Sequence, residues 1–219
     1  MSKPMRVGVL ASGGGTNLQA IIDRWLDGSL PAELAVVISN NPGAGALDRA
    51  QKAGIPTQVI NHRDFSQRED FDQAVVAALK EAGVELVVLA GFMRIITDVF
   101  LEAFPQRIIN IHPALLPAFP GLHVQQMALD YGARFSGCTV HFVDGGVDTG
   151  PILLQAVVPV LPDDDADALA ARILKQEHQI YPRAIQLIAE GRVRVEGRQV
   201  IIDQPQSADL AMINPPIDV

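Results

Sequence analysis

The feature that most constrains this fold is a repeated pairing of a short apolar segment with a segment of helical periodicity. The first apolar run, residues 7–10, ends at a glycine loop, after which apolar residues recur at helical spacing as far as Gly28. Three more strands are expected at 34–38, 57–60 and 86–90, with helical patterns between them, and the last of these is apolar throughout. Strands that are apolar throughout are typical of parallel sheets buried on both faces. The pattern therefore predicts an α/β fold with a doubly wound, mostly parallel twisted sheet and right-handed crossovers.

The second half of the chain follows a different pattern, which predicts an antiparallel part at the C-terminal end. A strand at 108–111 ends at Pro113, and two more strands are expected at 138–143 and 152–158. The connection between these last two is too short for a helical crossover, so they are predicted to be antiparallel. A long helix is predicted over 163–189, which Pro182 should kink or split, and a hairpin over 193–202.

Composition narrows the class of protein. The formal net charge of −8 and the isoelectric point near 5.0 argue against a nucleic-acid-binding protein. The single cysteine, Cys138, cannot form a disulfide within the chain, and it is expected to be a small buried residue in a strand. The sequence shows neither a secretory leader nor an apolar run of about 18 residues, so we expect no membrane span and a cytoplasmic location.

The glycine loop at 12–17, Ser-Gly-Gly-Gly-Thr-Asn, lies between the first strand and the first helix. Exposed backbone N–H groups and the helix dipole favour an anion at such a position, although the loop alone also fits a tight strand–helix turn. A P-loop would need a Gly-Lys pair, which is missing, and a dinucleotide fingerprint would need glycine at Leu18. The loop therefore favours the phosphate of a small substrate over a nucleotide.

Two polar clusters follow apolar strands in the second half. Asn110 and His112 close one strand and, because side chains alternate, are expected to project from the same face. An amide and an imidazole at the carboxyl end of a strand can stabilise an oxyanion or move a proton. Asp148 lies in a second cluster, residues 144–151, from which a carboxylate could reach His112. No set of His, Cys and carboxylate residues has a spacing typical of a metal site, so we expect none.

Several motifs, in sequence order, resemble the folate-dependent formyltransferases. Two resemble the family as a whole: Asn-Ile-His-Pro-Ala-Leu-Leu-Pro at 110–117 and Asp-Gly-Gly-Val-Asp-Thr-Gly-Pro-Ile at 144–152. Four others resemble the branch that formylates glycinamide ribonucleotide, and they lie at 12–19, 90–95, 120–123 and 176–182. The resemblance extends over about residues 5–190.

This resemblance implies a formyltransferase fold and an enzyme of purine biosynthesis. The implied reaction moves a formyl group from 10-formyltetrahydrofolate, the co-substrate, to the amine of glycinamide ribonucleotide and releases tetrahydrofolate. We expect a single domain over 1–219, with a phosphate-binding half at about 5–105, a catalytic and folate-binding half at about 106–203, and a tail at 204–219. The expected partners are small molecules, without nucleic acid or membrane, and both monomer and homodimer stay open.

The family's functional positions carry over residue by residue as implications of the resemblance. The residues that resemble the catalytic trio are Asn110, His112 and Asp148. Those that resemble contacts to the acceptor are Gly15, Thr16 and Asn17 for its phosphate and Glu177 for its ribose. Those that resemble contacts to the folate are Arg68, Met93, Arg94, Ile95 and Ile96, together with Asn110.

Three other functions compete with this prediction. A formyltetrahydrofolate hydrolase uses the same trio with water as the acceptor, but it usually carries an N-terminal regulatory domain, for which no room is expected before the first strand. A methionyl-tRNA formyltransferase would be longer, and the acidic balance counts against it. A non-catalytic sugar-phosphate sensor would use the glycine loop alone and would leave Asn110, His112 and Asp148 without a purpose.

Overall fold

The computed structural model describes residues 3–203 and residue 214, which form a seven-stranded sheet, six α-helices and a small hairpin. The strands of the sheet are β1 (Met5–Leu10), β2 (Ala32–Ser39), β3 (Thr57–Val59), β4 (Leu86–Leu89), β5 (Ile108–His112), β6 (Phe135–Phe142) and β7 (Ile152–Pro159). The helices are α1 (Thr16–Leu26), α2 (Gly45–Lys52), α3 (Arg68–Glu81), α4 (Asp98–Ala103), α5 (Val124–Tyr131) and α6 (Ala166–Ala189). The hairpin consists of β8 (Val193–Glu196) and β9 (Gln199–Ile202).

The strand order explains where ligands can bind. The order is β3-β2-β1-β4-β5-β6-β7, with parallel pairing from β3 to β5 and antiparallel pairing from β5 to β7. The chain winds outward from β1 in one direction and returns to add β4 on its other side. In open α/β sheets, such a reversal leaves a crevice at the carboxyl ends of the two central strands. This crevice lies between the loop after β1 and the loop after β4.

Helices cover both faces of the sheet and enclose two hydrophobic cores. One core contains apolar residues of α1, α2, α5 and α6, and the other contains those of α3 and α4. The largest fully buried side chain is Tyr181 of α6, whose hydroxyl lies 2.9 Å from the Leu89 carbonyl oxygen and 3.1 Å from that of Ile109. Tyr181 therefore ties α6 to the last residue of β4 and to the first part of β5.

The predicted fold class is confirmed, with two local corrections. Of the two outcomes predicted for Pro182, a kinked or a split helix, the split is wrong: α6 is continuous from Ala166 to Ala189, and Pro182 is buried in it. Packing of α6 against the sheet offsets the one backbone hydrogen bond that a proline removes. The short helix α4 was not predicted, because its six residues are too few to show a period.

Two further expectations can be placed in the structure. Cys138 is fully buried in β6, and burial raises the pKa of its thiol to about 12. The tail expected at 204–219 lies outside the described residues except for Asn214, whose side-chain amide donates to the carbonyl oxygens of Arg134 and Val160. Among the described helices, none combines the length and the apolar character needed to cross a membrane.

Candidate active site

Asn110, His112 and Asp148 meet at the end of β5. Asn110 and His112 lie two residues apart on this strand, and the neighbouring Ile109 and Ile111 pack into the core on the opposite face. Asp148 comes from the loop between β6 and β7, and its Oδ2 lies 3.3 Å from His112 Nδ1. The structure thus brings together three residues that the sequence places in two separate motifs.

Both nitrogens of the His112 ring face hydrogen-bond acceptors. Nε2 lies 2.8 Å from the carbonyl oxygen of Phe119, and Nδ1 faces the Asp148 carboxylate. Donation from both nitrogens would require a proton on each, which is the imidazolium form. The surroundings of this buried ring, 4% exposed, therefore suit a positive charge.

The Asp148 carboxylate is held by its own strained loop. Its backbone has a φ of 54°, a left-handed conformation that few residues other than glycine adopt. Its Oδ2 also accepts a hydrogen bond of 2.9 Å from the Gly121 N–H. Partial burial acts to raise the pKa of Asp148, but hydrogen bonds from His141 and Gly121 and the charges of His112 and His141 outweigh burial and lower it. Asp148 is therefore an anion at neutral pH.

His141 is a fourth member of this cluster, and its role was not singled out from the sequence. It lies on β6 directly opposite Asn110 in the antiparallel register, and only 2% of it is exposed. Its Nδ1 donates to the carbonyl oxygen of Phe142, at 2.9 Å. Its Nε2 lies 3.3 Å from Asn110 Nδ2 and 3.6 Å from Asp148 Oδ1. His141 therefore contacts both the Asn110 amide and the Asp148 carboxylate.

The glycine loop forms an uncapped helix start that is suited to an anion. Gly15 precedes α1 with a φ of 74°, and no side chain caps the helix there. The N–H groups of the first turn, which begins at Thr16, have no partner within the helix and carry the positive end of its dipole. A Cβ on Gly15 would lie 2.7 Å from the Ala46 backbone, so only glycine fits between the loop and α2.

Asn17 and Glu177, 160 residues apart, meet beside this loop. The Asn17 side-chain N–H donates to Glu177 Oε2 at 2.8 Å, and Asn17 Oδ1 is buried without a partner among the described residues. Burial raises the pKa of Glu177, and the hydrogen bond from Asn17 acts in the opposite direction. A buried carboxylate and an unpaired amide oxygen are well placed to bind hydroxyl or amine groups of a ligand.

The segment after β4 exposes apolar side chains and unpaired backbone groups. Met93 is 69% exposed and Ile95 is 64% exposed, whereas Arg94 lies over the ring of Phe71. Within the described chain, the backbone N–H and C=O groups of residues 94–96 have no hydrogen-bond partner. Such a surface can bind a flat heterocycle through both packing and hydrogen bonds.

Arg68, which the resemblance assigns to the folate, lies outside this segment, on α3. It is exposed at the first position of α3, one helical turn before Phe71, which stacks against Phe92 at 6.5 Å between ring centroids. Arg68 therefore lies at the rim of the segment. In the described residues, no cluster of three or more His, Cys, Asp or Glu side chains has the arrangement of a metal site.

Comparison with known proteins places this geometry in a family. The formyl transferase model matches residues 5–185. The chain belongs to the formyl transferase family. A phosphoribosylglycinamide formyltransferase of Haemophilus influenzae is 44% identical over 198 residues, which cover 90% of this chain and 93% of that protein. The crystal structure of glycinamide ribonucleotide transformylase 1 from Symbiobacterium toebii matches with a TM-score of 0.90 and 53% identity, covering 91% of this chain and 94% of that one. The predicted family is thus confirmed.

This formyltransferase domain also matches part of larger proteins. The trifunctional purine biosynthetic protein adenosine-3 of Drosophila melanogaster is 53% identical over 188 residues, or 85% of this chain. The chain spans only 14% of the length of that protein. The likeness therefore concerns one of its parts and not the whole.

Proposed function

We propose that this enzyme transfers a formyl group from 10-formyltetrahydrofolate to the amine of glycinamide ribonucleotide, a step of purine biosynthesis. The observation that carries the proposal is the position of three groups on adjacent strands. The glycine loop follows β1, the exposed segment at 91–96 follows β4, and Asn110 and His112 end β5. Neighbouring strands lie only about 5 Å apart. A donor bound after β4 would therefore lie between an acceptor at β1 and the polar cluster at β5.

The acceptor is assigned to the glycine loop and its neighbours. Backbone N–H groups at Gly15 and Thr16 and the second N–H of the Asn17 side-chain amide would donate to the phosphate, since helix N-termini favour anions. Glu177 would accept a hydrogen bond from a ribose hydroxyl, because its carboxylate is buried beside Asn17.

The donor is assigned to the segment after β4. The pterin ring would pack against the exposed Met93 and Ile95 and hydrogen-bond to backbone groups from Arg94 to Ile96. Arg68, at the rim, would meet the acidic tail of the folate as a cation. Asn110 would contact the donor at its formyl end, since it pairs with Leu89 at the end of β4.

The chemistry follows from the charges of the cluster at β5. The amine of the acceptor attacks the formyl carbon, a new N–C bond forms, and the carbonyl oxygen becomes an oxyanion. The Asn110 amide and the His112 imidazolium would donate hydrogen bonds to it, with Asp148 balancing the charge of the ring. The C–N10 bond then breaks, and the proton lost by the amine is transferred to N10, so that formylated acceptor and tetrahydrofolate leave. No covalent enzyme intermediate is required.

The same proposal assigns roles to the two halves of the chain, a cellular location and the contacts of the folate. The N-terminal half at about 5–105 would bind the phosphate, and the half at about 106–203 would supply catalysis. The enzyme would act in the cytoplasm on small molecules alone. The donor segment at 91–96 lies in the first of these halves, so the folate would contact both.

The deciding experiment measures formyl release from 10-formyltetrahydrofolate with and without glycinamide ribonucleotide. We expect release to depend on the acceptor and to yield one formylated product for each tetrahydrofolate formed. Asn17→Ala, which alters only the acceptor side, should raise the KM for glycinamide ribonucleotide far more than that for the folate. Rapid release without acceptor would identify a hydrolase instead. Absence of release under both conditions would leave a sugar-phosphate-binding protein as the better explanation.

A further inference from the structure

Ser12, the first residue after β1 that is not part of the core, makes four hydrogen bonds to two other loops. Its backbone N–H donates to the carbonyl oxygen of Gly91 at 3.0 Å. Its hydroxyl donates to Asn40 Oδ1 at 2.6 Å and accepts from the N–H of Met93 at 2.8 Å. Its carbonyl oxygen accepts from the side chain of Asn41 at 3.4 Å. One residue thus joins the glycine loop to the loops after β2 and β4.

The direction of the Ser12 hydroxyl is set by its surroundings. Asn40 is 6% exposed, and its side-chain Nδ2 lies 3.1 Å from His62 Nδ1, so its Oδ1 faces Ser12. The hydroxyl therefore donates its proton to Asn40, and a lone pair of the same oxygen accepts from the N–H of Met93. Donation to Asn40 thus directs the hydroxyl proton away from Met93 and leaves the oxygen free to accept from the Met93 N–H.

The far end of the segment after β4 is held in a similar way. Thr97 donates its backbone N–H to Asp72 Oδ2 at 2.7 Å, and Asp72 is 1% exposed on α3. Residues 94–96, whose backbone groups are unpaired in the described chain, lie between these two attachments. The segment is therefore fixed at both ends and open in the middle, where a ligand would bind.

The geometry points to Ser12 as a positioning residue that holds the donor segment and links it to the acceptor loop. This inference rests on the proposed function, which assigns those two ligands to the two segments. Ser12 contacts neither reacting atom; it acts through the backbone of Met93. A phosphate that orders the glycine loop would also order Ser12, and with it the segment after β4. Each ligand should therefore favour the binding of the other, by the same factor in both directions.

The test compares Ser12→Ala with Ser12→Thr, which keeps the hydroxyl, and with Ser29→Ala as a matched control. Ser29→Ala also removes a hydroxyl hydrogen bond, the one to the Arg24 carbonyl oxygen, but Ser29 is exposed and lies after α1. The dissociation constant of 5,8-dideazafolate, a folate analogue without a formyl group, is measured by calorimetry with and without saturating glycinamide ribonucleotide. In the parent enzyme and in Ser29→Ala, the acceptor should tighten binding of the analogue several-fold. In Ser12→Ala this factor should fall to near one, and Ser12→Thr should restore it.

Ser12→Ala removes both hydrogen bonds of the hydroxyl, and loss of the one to Met93 should weaken binding of the analogue about fivefold, as expected for one neutral hydrogen bond. In the protein without ligands, exchange of the Met93 amide hydrogen should accelerate by a similar factor, while Ser29→Ala leaves it unchanged. Equal coupling in the parent and in Ser12→Ala, or unchanged exchange at Met93, would overturn the inference. A parent enzyme that binds neither ligand would overturn the proposed function as well, even if the Met93 amide still responded to Ser12→Ala.

Discussion

Substitution of Asp148 by Asn tests whether the carboxylate and His112 act as one unit. The change removes a negative charge but preserves side-chain shape, and asparagine tolerates the left-handed backbone found at this position. At the observed 3.3 Å between Asp148 Oδ2 and His112 Nδ1, an effective dielectric constant of about 20 gives an attraction of about 5 kcal/mol. General acid–base assistance is commonly worth about 10²–10⁴ in rate, which corresponds to a similar free energy. Asp148→Asn should therefore lower kcat by about 10²–10⁴ while both ligands still bind.

The same experiment needs His112→Ala and the double variant. Each single change should cost a similar factor, and the double variant should be little worse than either, because residues that act together are not additive. Asp144→Asn is the matched control: Asp144 lies in the same loop, where it accepts from the N–H of Gly146 and the hydroxyl of Thr149, and kcat should stay near the parent value. Steady-state kinetics gives kcat, and calorimetry gives ligand affinity. Fully multiplicative losses, with affinity unchanged, would refute the pairing.

Three other outcomes are expected. Gly15→Ala should lower the melting temperature and raise the KM for glycinamide ribonucleotide, because the left-handed φ of 74° and the 2.7 Å approach to Ala46 both disfavour a Cβ. Gly13→Ala is the control: a Cβ there meets nothing within 4 Å, so neither quantity should change. A folate analogue should protect residues 91–96 from hydrogen exchange, and protection confined to the glycine loop would contradict the donor assignment. The pKa of Asp148 is lowered in the folded state, so its contribution to stability is present above the ordinary pKa of 3.8 and is lost as the pH falls through the folded pKa. The free energies of urea unfolding of the parent and of Asp148→Asn should therefore converge below about pH 4. A constant difference between them at that pH would contradict this.

Local patterns were sufficient to predict the strands, most of the helices and the side-chain direction at β5. Asn110 and His112 share a face because alternation along a strand is a local property. His141 could not be assigned in the same way, because its place opposite Asn110 depends on the register between β5 and β6. Register is decided by packing between distant parts of the chain, and no pattern within β6 indicates it.

The polar contacts between loops were beyond sequence reasoning for a related reason. Ser12 is one polar residue in a loop of similar residues, and only the position of Met93 shows what its hydroxyl does. The carbonyl oxygen of Phe119 that faces His112 carries no sequence signal, since every residue has such a group. The left-handed backbone of Asp148 and its contact with Gly121 likewise carry no sequence signal.

The spacing along α6 imposes a limit on how this protein can change. Glu177 and Tyr181 are four residues apart, which corresponds to about 6 Å along the helix and a little over one turn. Tyr181 is anchored to β4 and β5, so Glu177 reaches Asn17 only at this separation. One residue inserted between them would rotate Glu177 by about 100°. Insertions and deletions should therefore be tolerated at the two ends of α6 long before they are tolerated within this turn.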